Sequence, residues 1–420
     1  MKKLNRFPNG LTLLYEEMPA VRSISLGVFV RVGSVYEDAK NNGISHFIEH
    51  IMFKGTEKRT AFDIVAETDN LGAQINAFTS KTTTCYYIQC VDRDIDKCTE
   101  ILSDIFFNSV FPEDETEKEK GVVLEEIAMC RDTPDDLVCE AATAAFYKGH
   151  PLARPILGSK KNVAAFTRTA VEEYIDKHYT ADNTLISIAG NLSYEQAVEL
   201  INKYFISEFS RLKCRNRKIS TADTKTAYVK NIKKIEQGNL AFVFPSVSYK
   251  DSLANAARIF NSIFGYGMSS RLYQQIRERM GLAYSVYSYP SMYPDNGYSL
   301  IYIGTNTANI EKATLAVRDE ILKVKKHGIS KEEFLRGKAQ IKSSLVFSGE
   351  SSAGIMTSLG RHAIQTGGLY DIDKIISDID AVTMDDINLI IDLSFNIEKA
   401  TASYVGPKFE KNLLDLLQGG

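Results

Sequence analysis

Ser23-Ile24-Ser25-Leu26-Gly27-Val28-Phe29-Val30-Arg31-Val32 is an apolar run closed by Gly33, which predicts a buried strand. Leu240-Ala241-Phe242-Val243-Phe244-Pro245-Ser246-Val247 answers it, at an offset of about 216 positions, and the elements around the two runs recur in the same order. In the first half the patterning predicts strands over 11–15, 74–79, 84–91 and 185–189, and helices over 44–53, 61–71, 95–107, 113–130 and 135–147. In the second half, 310–325 answers 95–107, 331–347 answers 113–130, and 401–405 answers 185–189. An internal duplication is the simplest account. Blocks of strands alternate with blocks of helices, which points to an α+β fold: two structurally similar domains, each a largely antiparallel sheet with helices packed on one side. The expected division is 1–209, a polar, basic linker over 210–225, and 226–420.

Composition narrows the function. The 420 residues are 44% hydrophobic and 25% charged, with 26 Gly and 10 Pro, so the chain is neither disordered nor fibrous. Lys plus Arg number 50 against 53 for Asp plus Glu, leaving no global positive field for nucleic acid or an anionic membrane; neither partner is expected. The six cysteines show no C-x-x-C spacing and lie mostly in apolar runs such as Cys85-Tyr86-Tyr87-Ile88-Gln89-Cys90, as small reduced core residues do. Residues 1–10 are basic without a following apolar segment, and no stretch of roughly 18 apolar residues occurs, so a cytoplasmic location is expected.

The densest chemistry is His46-Phe47-Ile48-Glu49-His50 in the helix that opens after Gly43. At about 100° per residue, the two imidazoles project within about 40° of each other and Glu49 lies about 60° from His46. That face offers a metal two nitrogen ligands and sets a carboxylate beside them as general base. A third ligand is needed. On the helix over 113–130, Val122, Val123 and Ile127 define a buried arc in which Glu126 falls, with Glu119 on the same line and Glu125 pointing away. A carboxylate on an apolar stripe needs a cation or a proton. A metal, a protonated Glu or an internal salt bridge each meet that need, and a solvated helix face remains open for the histidine pair.

At these residues the sequence resembles the pitrilysin and mitochondrial-processing-peptidase family, inverted zinc peptidases with an H-x-x-E-H motif and a distant Glu ligand. The resemblance covers essentially the whole chain. It implies that His46, His50 and Glu126 hold one Zn2+ per chain, that Glu119 orients a ligand histidine, and that Glu49 is the general base. It also implies that Asn76 and the backbone of Ala77, in Gly72-Ala73-Gln74-Ile75-Asn76-Ala77-Phe78-Thr79, hold an extended peptide by strand addition. Arg277 and Tyr284 match the family's pair that binds the substrate backbone and the developing oxyanion. Phe47 and Phe78 are candidates for an apolar subsite or for the core. Near the equivalent positions in the second half stand Ser262, Tyr266 and Lys342, which cannot rebuild the site. Short members pair two chains into a chamber, so a homodimer is expected, with Arg277 and Tyr284 reaching the partner's zinc. The expected activity is zinc-dependent hydrolysis of short or unfolded peptides, leader peptides among them. The alternative is a catalytically silent scaffold or partner subunit.

Overall fold

The computed structural model describes residues 1–209, 214 and 219–419. Of the expected linker, 210–213 and 215–218 lie outside the described residues. The first sheet contains β1 (Lys2–Arg6), β2 (Thr12–Glu17), β3 (Ser23–Val30), β4 (Gln74–Thr79), β5 (Thr84–Val91) and β6 (Thr184–Gly190), in the order β1-β2-β6-β3-β5-β4. The second contains β7 (Tyr228–Ile232), β8 (Gln237–Ser246), β9 (Ala283–Met292), β10 (Gly297–Asn306) and β11 (Thr401–Gly406), in the order β7-β11-β8-β10-β9. Without β1 the two orders coincide strand for strand, each with one parallel pair, β2 with β6 and β7 with β11. The duplication is therefore topological as well as sequential.

Along the first half run α1 (Ile44–Ile51), α2 (Ala61–Asn70), α3 (Ile95–Asn108), α4 (Glu113–Asp132), α5 (Pro134–Phe146), α6 (Lys160–Ala165), α7 (Arg168–His178) and α8 (Tyr194–Ile201). The second half carries α9 (Ala254–Phe264), α10 (Ile310–His327), α11 (Lys331–Ser348), α12 (Ser352–Thr366), α13 (Ile372–Ala381), α14 (Met384–Ser394) and α15 (Leu413–Gln418). Among the described residues no helix is long and apolar enough to cross a membrane.

β3 is buried on both faces, as its near-continuous apolar run requires. Ile24, Leu26, Val28 and Val30 join the core beneath α1 and α3. Ser25, Gly27 and Phe29 face α12, where the hydroxyls of Ser25 and Ser352 lie 2.9 Å apart and Ser187 Oγ donates to Met356 O. A Cβ at Gly360 would stand 2.4 Å from the Phe29 ring, so only glycine lets α12 seat there. One helix thus covers the face opposite the main helical layer. In the second sheet α5 takes that place, on β8 and β11.

This exchange corrects the contiguous division. The first compact unit comprises Met1–Ile127, Arg154–Ile219 and Phe347–Tyr370; the second comprises Ala128–Ala153, Ser220–Val346 and Asp371–Gly420. Each sheet presents two apolar faces, and the helix that covers the second of them comes from the other half of the chain. β1 was not predicted, because Lys2-Lys3-Leu4-Asn5-Arg6 lacks apolar alternation; pairing with β2, Lys2 opposite Glu16, makes it a strand.

Candidate metal centre

α1 is short and enters through Gly43, whose φ is 101°. A Cβ there would stand 2.7 Å from Leu157 O, so the turn and the close approach both require glycine. Gly43 offers no side-chain cap, and the orphan N–H groups are met from outside the helix. Glu37 Oε2 accepts from Gly43 N at 2.7 Å and Asn42 Nδ2 at 2.8 Å, while Oε1 accepts from Ser45 N at 2.9 Å. This carboxylate is 3% exposed, and burial raises its pKa against those hydrogen bonds. Ile44, Phe47, Ile48 and Ile51 plug α1 into the core. The opposite flank carries His46, Glu49 and His50.

α4 approaches that flank with a narrow buried stripe: Thr116, Glu119, Val123 and Ile127. Val122, expected in the arc, is 50% exposed, because the helix is covered along a line rather than over a broad face. Glu125 is exposed. Glu126 Oε2 lies 3.6 Å from His46 Nε2 and 3.4 Å from His50 Nε2. Ligands ~2.0–2.1 Å from a tetrahedral ion stand about 3.3–3.4 Å from one another. Both separations from Glu126 match such an ion, and the three donor atoms all lie within 4.8 Å of one another. Glu126 Oε2 is buried without a hydrogen bond of ordinary geometry, a costly state that a cation relieves. No other set of three His, Cys, Asp or Glu side chains converges so among the described residues.

The surroundings prepare each group. His50 Nδ1 stands 2.8 Å from Glu119 Oε1; a carboxylate only accepts, so Nδ1 carries the proton and Nε2 is left free as a ligand. Glu119 is buried, and its other oxygen pairs with Lys54 Nζ at 2.6 Å. Burial, helped by His50 and opposed by Glu126, brings the His46 pKa down to about 4. Burial also disfavours charge on His50, yet Glu126 and Glu119 outweigh it and raise its pKa. The neighbouring His50 holds Glu126 below the usual carboxylate range, against burial. Glu49 moves the other way: burial raises its carboxyl, with the Thr79 hydroxyl, which donates to Glu49 Oε2, opposing.

β4 is the edge strand beside this flank. Asn76 is exposed, and its Oδ1 accepts from Ala77 N at 2.8 Å. The two phenylalanines do not line the flank. Phe47 is 0% exposed against Phe166, deep in the core. Phe78 sits on the opposite face of β4, edge-on to Phe29, because alternate strand residues point to opposite sides. Arg277 and Tyr284 belong to the second unit, where the guanidinium lies 5.1 Å from the Tyr284 ring and the tyrosine is 77% exposed. Near the positions equivalent to the three donors, Ser262 donates to Gln340, Tyr266 is exposed and Lys342 pairs with Asp380. Three residues escaped the sequence reading: Glu37, Lys54 and Thr79. Only Thr79 left a signal, sharing the strand phase of Ala77.

The model of the insulinase family, peptidase family M16, matches residues 12–160, the part that holds all three donors. The chain belongs to peptidase family M16. A second M16 model, described as the inactive domain, matches 165–341. An uncharacterized zinc protease of Bacillus subtilis, YmxG, is 37% identical over 90% of this chain and 92% of its own. An uncharacterized zinc protease of Rickettsia felis is 36% identical over 96% of this chain and 97% of its own. In fold, the M16 chain superposes on a Pseudomonas fluorescens structure titled peptidase M16 inactive domain, with a TM-score of 0.91, 19% identity, and coverage of 98% of this chain and 99% of that one. A Helicobacter pylori protease structure gives a TM-score of 0.87 at 21% identity, covering 97% and 99% of the two chains.

Proposed function

We propose that this M16 protein is a zinc-dependent endopeptidase acting on short or unfolded peptides, leader peptides among them, with one Zn2+ per chain held by His46, His50 and Glu126. The single observation that carries the reading is the convergence of those three donors beside a fourth group, Glu49, that is not needed as a ligand. A closed structural site has no use for it. The relatives named zinc proteases support the metal.

When bound, zinc supplies Lewis acidity, polarising the scissile carbonyl and lowering the pKa of the attacking water to about 7. Glu49 takes the proton of that water and later passes it to the leaving amine. Its raised pKa brings it closer to neutrality, where one group can serve as base and then as acid. Thr79, bonded to one carboxylate oxygen, fixes the rotamer and leaves the other free for the proton. The peptide adds to the open edge of β4, its backbone meeting Asn76 and the Ala77 N–H. Arg277 and Tyr284 of a second copy complete the site, holding the substrate backbone and the carbonyl oxygen, in a homodimer that encloses a chamber. None of the six cysteines forms a disulfide, which suits a reducing cytoplasm.

A quenched fluorogenic peptide tests the core of this reading. Cleavage is expected to stop with 1,10-phenanthroline and to return with added Zn2+; a folded protein that cleaves nothing is instead a silent partner subunit. Mixing His46→Ala and Tyr284→Phe chains, each nearly inactive alone, is expected to restore up to about a quarter of wild-type turnover, since half the dimers formed at random hold one intact site among two. No recovery would place Tyr284 in the site of its own chain.

A further inference from the structure

Alternation along β4 gives the proposed substrate edge two unlike sides. Ile75, Ala77 and Thr79 turn toward α1, with Thr79 reaching Glu49. Asn76 and Phe78 turn to the side of α12, where Phe78 lies 6.2 Å from Phe29 and 6.4 Å from Tyr87. Over the Phe78 ring, 5.3 Å from its centroid, stands the guanidinium of Arg361 from α12. Arg361 is exposed, and among the described residues no carboxylate lies within 4.0 Å of it. Buried Arg59 and half-buried Arg271 behave otherwise. Arg59 pairs with Glu67, Glu100 and Asp104, and Arg271 with Glu320 and Glu333. Among the described residues Arg361 meets only that aromatic face, which leaves its planar fork of donors unspent.

We propose that Arg361 and Phe78 form a subsite that selects an acidic side chain in a peptide paired along β4. This rests on the peptidase reading above. A strand added to β4 continues the pleat, so its side chains alternate between the α1 side, with the metal donors, and the α12 side, with Phe78 and Arg361. The residue next to one that faces the donors therefore meets the guanidinium. A Glu or Asp there accepts two charge-assisted hydrogen bonds from Arg361 while its methylenes rest on the Phe78 ring. A Lys or Arg at that position meets like charge. The substrate class that follows is an extended peptide carrying a carboxylate side chain at one fixed place beside the cleaved bond.

The test is digestion of an equimolar peptide library by wild-type, Arg361→Met and Arg361→Glu enzymes, read by mass spectrometry. Wild type is expected to favour Asp and Glu over Lys and Arg by ~10-fold at one position, less as NaCl rises and screens the pair. Arg361→Met is expected to flatten that position, and Arg361→Glu to turn it toward Lys and Arg. A wild-type profile without acidic enrichment, or one unchanged in the folded variants, overturns the subsite and leaves the peptidase standing. The salt dependence of the wild-type profile decides the matter even where a variant does not fold. A library left intact by wild type removes the peptidase reading itself.

Discussion

Glu49→Gln protein is expected to bind zinc as wild type does and to cleave the fluorogenic peptide at least ~10³-fold more slowly, within the range that a positioned general base contributes. The substitution is nearly isosteric. Thr79 Oγ1 can still donate to the remaining side-chain oxygen, so the packing around α1 is kept. An amide, however, neither takes the proton of the attacking water nor returns it to the amine. Zinc content and the thermal midpoint should therefore match wild type while kcat collapses. Measuring both in one sample separates lost chemistry from a lost site, and a wild-type rate would remove Glu49 from the mechanism.

The second large effect concerns the metal. Glu126→Gln is expected to weaken zinc binding by more than the ~10–100-fold typical of losing an outer partner, whereas Glu119→Gln should stay inside that range. Glu126 faces both free imidazole nitrogens; Glu119 touches only the far side of His50. Competition against a chromophoric chelator ranks the two, and equal losses would mean that Glu126 is not a ligand. The pH dependence follows from the same groups. Zinc needs both imidazoles neutral and the carboxylate ionised. His46 is brought down to about 4 and Glu126 is held below its ordinary value, so both meet that condition in neutral solution. His50 is raised, so in metal-free protein it holds a proton up to a pH above the ordinary histidine value of about 6.5. Metal affinity should fall as pH drops through the His50 pKa, with one proton released per zinc bound in that window. Calorimetry in buffers of different ionisation enthalpy measures that proton.

That the donors are legible in the sequence comes down to period. His50 stands four positions after His46, one turn and a little more, and that spacing brings their rings to 4.6 Å between centroids. A carboxylate on an otherwise apolar stripe marked Glu119 and Glu126 by its electrostatic cost. Period carries less where coverage is partial. Val122 shared the apolar character of Val123, yet only the latter is covered. Phe47 and Phe78 are similar residues next to chemistry; one is sealed in the core and the other turned to the α12 side.

Local spacing and polarity, then, were enough for the α+β class, the duplication, the histidine helix and the carboxylates of α4, because helix and strand periods state which side chains share a face. They do not state what covers that face. The placing of α5 on the second sheet and of α12 on the first, the capping of α1 by Glu37 and the hold of Thr79 on Glu49 join residues remote in the chain. So does Arg361 over Phe78, across 283 positions. Such pairings come from packing complementarity over the whole unit, a property that no single segment carries.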